Sequence, residues 1–234
     1  MNIRALNPFI KIYCIANFVL ILTLVLPSCK SEVKSIPSII ELVDTDSTVT
    51  NEKILQFCVA NQIEKKSVFN WQNHWIFYTD QSSLETLDYK IRTEFQKEVI
   101  NVYPEPFYNF NRKVFCKKEP AEKWQHIIMT ANLVDNPVLQ HEYMRYHEIQ
   151  FNEWKEVPQG FCNADFQQVL VFKHDRQLML VISIPEGKTL DELNPKTEEN
   201  NPRVKEWNSI MSRFQVRIED APEGSTWVIF SEIQ

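Results

Sequence analysis

Four segments between residues 126 and 184 decide the fold: His126–Val134 (HIIMTANLV), Pro137–Glu156 (PVLQHEYMRYHEIQFNEWKE), Gln168–Phe172 (QVLVF) and Leu178–Ile184 (LMLVISI). The first, third and fourth are short, apolar and rich in β-branched residues, and they read as strands. The second is long enough for a helix, and Asp135-Asn136-Pro137 supplies its start. Asparagine caps free amides there, and proline gives up no hydrogen bond at the first helical position. A helix over Pro202–Phe214, again introduced by Asn-Pro, and a strand at Trp227–Phe230 complete the order β-α-β-β-α-β.

The first half is expected to repeat this order with smaller elements. Ile39–Val43 is a strand, and Thr50 caps a helix carrying Ile54, Leu55, Cys58, Val59 and Ile63. Val68–Gln72 and Trp75–Tyr78 form a hairpin turning at Asn73-His74. A capping box of Ser82 and Glu85 opens a helix with Leu84, Leu87, Ile91, Phe95 and Val99 on one stripe. After Pro104 and Pro106, Lys113–Cys116 closes the unit as a strand. The reading is therefore an α+β chain of tandem ferredoxin-like (βαββαβ) units, residues 38–120 and 121–234. An irregular single α+β domain is the alternative. Each unit leaves one sheet face bare, so the two faces should pack together as an intrachain dimeric α/β barrel, with the ligand cavity expected between the sheets.

The chain opens with Arg4 and Lys11, then an apolar run from Ile12 to Leu26 that ends in Leu26-Pro27-Ser28-Cys29. The run falls short of the roughly 20 apolar residues that a spanning helix needs, so residues 1–28 read as an export signal. The Leu-x-small-Cys ending resembles the lipobox of bacterial lipoproteins, which implies lipid attachment at Cys29. Residues 29–37 then form a tether, and the protein is held by its lipid in the bacterial cell envelope. An ordinary secretory signal and an uncleaved anchor are the alternatives. Cleavage removes two cationic residues and takes the formal charge from −6 to −8. Such a chain does not suit nucleic acid, and it has no dense basic run for a membrane surface.

Of five cysteines, Cys14 lies in the signal and Cys29 carries the lipid. Cys58, Cys116 and Cys162 remain, an odd number without CxxC spacing. They can form at most one disulfide, and they read first as small buried hydrophobes. The three glycines, at 160, 187 and 224, exclude GxGxxG and P-loop motifs. No HExxH or GxSxG occurs, so neither a metal nor a serine nucleophile is expected. The acidic Asp191, Glu192, Glu198 and Glu199 read as a solvated loop.

Tyr143 and His147, four residues apart, share one helix face and could act as an acid/base pair. On spacing alone, a surface histidine beside a core tyrosine is the preferred reading. Trp207 falls on a stripe with Val204, Met211 and Phe214, which is the pattern of a core residue, or of a cavity edge that serves both purposes.

From Gln125 onward the chain resembles the L-rhamnose mutarotase family. The resemblance rests on Glu142-Tyr143-xx-Tyr146-His147, the strand pair ending at Ile184, Asn201-Pro202-xx-Lys205-Glu206-Trp207-xxx-Met211-xx-Phe214, and Trp227-Val228-xx-Ser231-Glu232-Ile233. It implies exchange of the α and β anomers of a monosaccharide, L-rhamnose or a related sugar, without cofactor or metal. His147 is implied as the acid/base, Tyr143 as substrate-binding and assisting proton movement, and Trp207 as a flat wall for the sugar. Asn208 stands where the family's sugar enzymes carry a second tryptophan, and Val169 where they carry a tyrosine. Residues Thr50–Lys66 hold no counterpart of the Tyr-xxx-His pair. The first half is therefore expected to replace the second subunit of the dimeric family, giving a monomer with one site. A non-catalytic sugar-binding or structural envelope lipoprotein of the same fold is the competing reading.

Overall fold

The computed structural model describes residues 36–233; the expected export signal, Cys29 and most of the expected tether lie outside the described residues. The first half forms β1 (Pro37–Val43), α1 (Asn51–Asn61), β2 (Val68–Trp71), β3 (His74–Asp80), α2 (Gln81–Glu94) and β4 (Val99–Tyr103). Next come β5 (Tyr108–Asn111) and a single helical turn, α3 (Arg112–Phe115). The second half forms β6 (Trp124–Leu133), α4 (Pro137–Glu153), α5 (Glu156–Asn163), β7 (Gln168–His174) and β8 (Gln177–Pro185). It ends with α6 (Leu190–Leu193), α7 (Pro202–Met211), β9 (Gln215–Val216), β10 (Val228–Ile229) and β11 (Ser231–Glu232).

Two antiparallel sheets result, ordered β11-β2-β3-β1-β4 and β10-β6-β8-β7-β5, with β9 also on β6. Inside each lies the ferredoxin-like order, and each half lends an edge strand to the other. β5 pairs with β7, placing Tyr108 opposite Val171 and Phe110 opposite Val169. β11 pairs with β2, placing Ser231 opposite Asn70. Both sheets belong to one compact unit.

Strand alternation divides the core. Ile40, Leu42, Trp75 and Phe77 face α1 and α2, while Val169, Val171, Leu178 and Ile182 face α4, α5 and α7. The opposite positions, Ile39, Ile76, Leu170, Phe172, Met179 and Val181, meet between the sheets. Both faces are thus buried, which is why these strands read as continuous apolar runs. The expected inter-sheet cavity is absent: side chains from both sheets fill that space, Phe69, Tyr103 and Phe230 among them.

One polar group sits in this layer. Glu41 is fully buried and accepts from Asn101 Nδ2 (3.0 Å), Tyr103 OH (3.1 Å) and, from the other sheet, Gln177 Nε2 (2.9 Å), with His74 Nδ1 at 2.8 Å. Burial opposes ionisation of this carboxyl, but His74, Asn101 and Gln177 outweigh it and hold its pKa below the ordinary value. The cluster ties the two sheets together, since a buried charge survives only with its partners in place.

Several element boundaries differ from the sequence expectation. Asp80, not Ser82, caps α2: its carboxylate accepts from the Ser83 amide and the Ser82 hydroxyl, and an anion suits a helix N-terminus better than a hydroxyl. Val99 does not extend that helix but begins β4, which supplies the fourth strand of the first sheet. Lys113–Cys116 is not a strand. Asn111 Oδ1 caps the Lys113 amide, and buried Arg112 reaches the carbonyls of Cys162 (3.2 Å) and Phe166 (3.4 Å) and the Asp165 carboxylate (3.1 Å). A Cys116–Cys162 disulfide completes the tie. Two of the three cysteines are therefore paired, and among the described residues only Cys58 is a free thiol, which is buried. The first helix of the second half stops at Glu153 rather than Glu156. Pro158, at the start of α5, would drive its ring into the carbonyl of residue 154 in an unbroken helix.

Candidate active site

Helix α4 is positioned by its cap: Asn136 Oδ1 accepts the amides of Val138 (3.0 Å) and Leu139 (3.2 Å), and Pro137 occupies the first turn. The inward face then presents Tyr143, His147 and Gln150, all buried. Helical spacing forces these three onto one stripe, yet each carries a polar tip. They border a pocket of about 310 Å³ between α4, α7 and the outer face of the second sheet. The ligand-sized space is thus on the helix side of this sheet, not between the sheets as the sequence reading expected.

The floor is apolar: Val169 and Val171 from β7, Leu180 and Ile182 from β8. Phe161, Phe166 and Met211 add to it, and Trp207 closes one wall. Trp207 is at once core and wall, since it is 5% exposed and its ring lies 5.4 Å from His147 and 5.5 Å from Trp154. Asn194 and Asn208 are exposed residues of the lining, with Asn208 Nδ2 held by Glu198 Oε1 at 2.8 Å. None of the described side chains lining the pocket carries a formal charge.

His147 Nδ1 lies 3.0 Å from the carbonyl oxygen of Tyr143. A carbonyl only accepts, so Nδ1 holds the proton and Nε2 keeps its lone pair. Burial pushes the His147 pKa from 6.5 down to about 4, the carbonyl bond opposing. At neutral pH the ring is therefore an uncharged base. Tyr143 packs its ring 4.4 Å from that of His147. Its hydroxyl accepts from Gln215 Nε2 (3.4 Å), and Gln215 Oε1 in turn accepts from Trp227 Nε1 (3.3 Å). Burial drives the phenol well above its ordinary pKa, with the Gln215 bond opposing. Tyr143 therefore stays protonated, with its O–H free to donate. A protonated donor and an unprotonated acceptor stand side by side, as bifunctional proton transfer requires.

Gln150, Tyr108 and Gln215 also line this pocket and are absent from the candidate residues that the sequence yields. Gln150 was legible: it extends the Tyr143–His147 stripe by three residues, a polar residue at a core position. Tyr108 carries no such signal, because only the pairing of β5 with β7 brings it there.

Among the described residues, the other titratable groups do not form a comparable site. His126 lies along a more open hollow of about 720 Å³ near the start of α2. Burial, and secondarily Lys66, push its pKa down to about 4. Its Nδ1 partner, the Ser183 hydroxyl at 2.9 Å, is fully buried and out of reach of a ligand. Asp44, Asp46 and Glu98 bring carboxylate oxygens within 4.8 Å of one another. Asp44 is committed to the Thr48 and Val49 amides and Glu98 to the Thr45 amide, so this group clasps a loop. Among the described residues, no helix is long and apolar enough to cross a membrane.

The chain is similar to a UPF0734 protein of Dictyostelium discoideum, 29% identical over 104 residues that cover 41% of this chain and 77% of the relative. Among solved structures it is similar to an uncharacterized ferredoxin-fold protein from Listeria monocytogenes related to antibiotic biosynthesis monooxygenases. That likeness has 12% identity and a TM-score of 0.37, over 86% of this chain and 96% of that one. A family model for L-rhamnose mutarotase matches residues 117–233. That span is half of the chain and holds α4, α7 and the pocket floor, and on this match the chain belongs to the L-rhamnose mutarotase family.

Proposed function

We propose that this protein interconverts the α and β anomers of an uncharged monosaccharide, L-rhamnose or a related 6-deoxy sugar, at the pocket beneath α4. The observation that carries this reading is the His147–Tyr143 pair, a neutral base and a protonated donor with ring centres 4.4 Å apart. In ring opening, His147 Nε2 takes the anomeric hydroxyl proton and the C1–O bond to the ring oxygen breaks. Its electron pair passes to the ring oxygen, which takes the Tyr143 proton as the C1 carbonyl forms. Rotation about C1–C2 followed by the reverse steps closes the ring on the other face. Both protons return to their donors, and neither redox change nor metal is needed.

The uncharged lining favours a neutral ligand over a sugar phosphate or uronic acid, because burying an unpaired charge is costly. The apolar floor suits a sugar with a methyl group, and Trp207 offers a flat surface to its C–H face. The Cys116–Cys162 disulfide supports function in an oxidising compartment. That agrees with export and with lipid anchoring through Cys29 in the cell envelope. The packing of both sheets within one chain supports a monomer in which residues 38–120 replace a partner subunit and residues 121–234 carry the site.

A second reading is favoured by Val169 in the floor and by Asn208, whose amide is tied to Glu198 rather than held free for a ligand. In it, the pocket binds a sugar without turning it over. Saturation-transfer NMR on the fragment from Lys30 onward decides between the two, following α/β exchange of L-rhamnose, L-fucose and other free monosaccharides. Acceleration that His147→Gln reduces roughly 10²-fold or more supports mutarotation with His147 as acid/base. A folded protein that accelerates no sugar, but binds one, supports the second reading.

A further inference from the structure

Tyr108 comes from outside the residues that the family model matches, yet it sits in the pocket wall. β5 adds to the edge of β7 with Tyr108 opposite Val171, a floor residue, so the phenol is aimed under α4. It is 3% exposed. Its ring packs edge-on against His147 at 5.2 Å and stacks on Phe151 at 5.3 Å. Its hydroxyl donates to Gln150 Oε1. Burial raises the Tyr108 pKa far above the ordinary range, so the hydroxyl remains a donor.

Gln150 is 1% exposed and lies three residues after His147 on the same helix face. With Oε1 engaged by Tyr108, the side-chain amide turns its two N–H groups the other way. Gln150 borders the pocket, so an N–H of its amide can face the space that a ligand would occupy. A pocket-facing amide N–H is a donor for which a ligand hydroxyl is a suitable acceptor. The nearest reactive group along the helix is His147, so the hydroxyl served is one next to the reacting carbon.

We infer that Tyr108 and Gln150 form a hydroxyl-recognition pair, in which Tyr108 fixes the Gln150 amide so that Nε2 donates to the sugar hydroxyl adjacent to the anomeric carbon. This rests on the mutarotase reading for the identity of the ligand. Under it the first half of the chain is more than a packing partner: through β5 it supplies a positioning residue for the site in the second half. Gln150 touches the ligand and sets specificity, and Tyr108 acts through Gln150.

The test compares L-rhamnose with its 2-deoxy analogue, on the wild-type fragment and on Tyr108→Phe, Gln150→Leu and His147→Gln, each shown to be folded by circular dichroism. Exchange acceleration and equilibrium binding by ligand-observed NMR are both recorded. A site that donates to the 2-hydroxyl should favour L-rhamnose over the deoxy sugar by roughly 10- to 100-fold in kcat/KM. Gln150→Leu should erase that preference. Tyr108→Phe should lower it, chiefly by raising KM for L-rhamnose more than for the deoxy sugar; a purely structural loss would slow both sugars alike. Preserved discrimination in both variants, with exchange still dependent on His147, overturns the pair and leaves the mutarotase reading standing. If no sugar is accelerated that reading falls, and binding decides the pair: discrimination lost in the two variants sustains it, and no binding or unchanged discrimination overturns it.

Discussion

The neutral state of His147 has a measurable thermodynamic consequence, because a histidine whose pKa drops from 6.5 to about 4 on folding makes stability depend on pH. The folded-state value lies below the unfolded one, so the unfolded chain takes up the proton first as pH falls. The contribution of His147 is complete above about pH 6.5 and is lost progressively as pH falls toward 4. Linkage puts the loss at about 2 kcal/mol by pH 5 and about 3 kcal/mol by pH 4. His126, pushed to about 4 by burial and Lys66, acts in the same window, and Glu41 adds its own loss at lower pH. The His147 share is isolated by comparing wild type with His147→Gln, whose amide does not titrate. Urea unfolding at half-unit steps from pH 8 to pH 4 should show the wild type losing stability more steeply than the variant, the gap between the curves shifting by about 2 kcal/mol between pH 7 and pH 5. Parallel curves would mean that His147 titrates alike in both states. The argument for a desolvated neutral base would then be refuted.

Three further outcomes follow from the packing. Gly160→Ala places a Cβ 2.6 Å from the Thr197 carbonyl oxygen, so the variant should lose roughly 1–3 kcal/mol, read as a lowered Tm; an unchanged Tm would show that α5 can shift away. Reducing Cys116–Cys162, or replacing Cys116 by serine, opens a link between residues 46 apart in sequence and should cost roughly 2–4 kcal/mol, checked by urea midpoints with and without reductant. Glu41→Ala strands Asn101, Tyr103 and Gln177 between the sheets and should cost about 3 kcal/mol or more. Glu41→Gln should cost less in the same denaturation assay, because it keeps an acceptor.

Much of the fold was legible because local chemistry and tertiary structure agree there. Asn136-Pro137 starts α4, Thr50 caps α1, and the runs at Gln168–Phe172 and Leu178–Ile184 are strands because β-branched residues buried on both faces fit little else. Local signals misled where a longer-range contact prevailed. Lys113–Cys116 has the composition of a strand end, but the disulfide and the Arg112 contacts with α5 wind it into a turn. Val99 continues a helical stripe in spacing, yet β1 needs an edge partner and takes it.

For the candidate site, the sequence by itself determined that Tyr143, His147 and Gln150 share one helix face, because 3.6 residues per turn leaves no other arrangement. That the stripe carries no charge at neutral pH was decided by the burial of His147 in the folded chain. Which side of the sheet the stripe faces was decided only by the tertiary structure, through the side chains that close the space between the sheets and leave room beneath α4. The arrival of Tyr108 was decided in the same way. Strand pairing depends on backbone hydrogen bonds that any sequence can make, so the exchange of β5 and β11 between the two sheets leaves no mark on the residues that precede it.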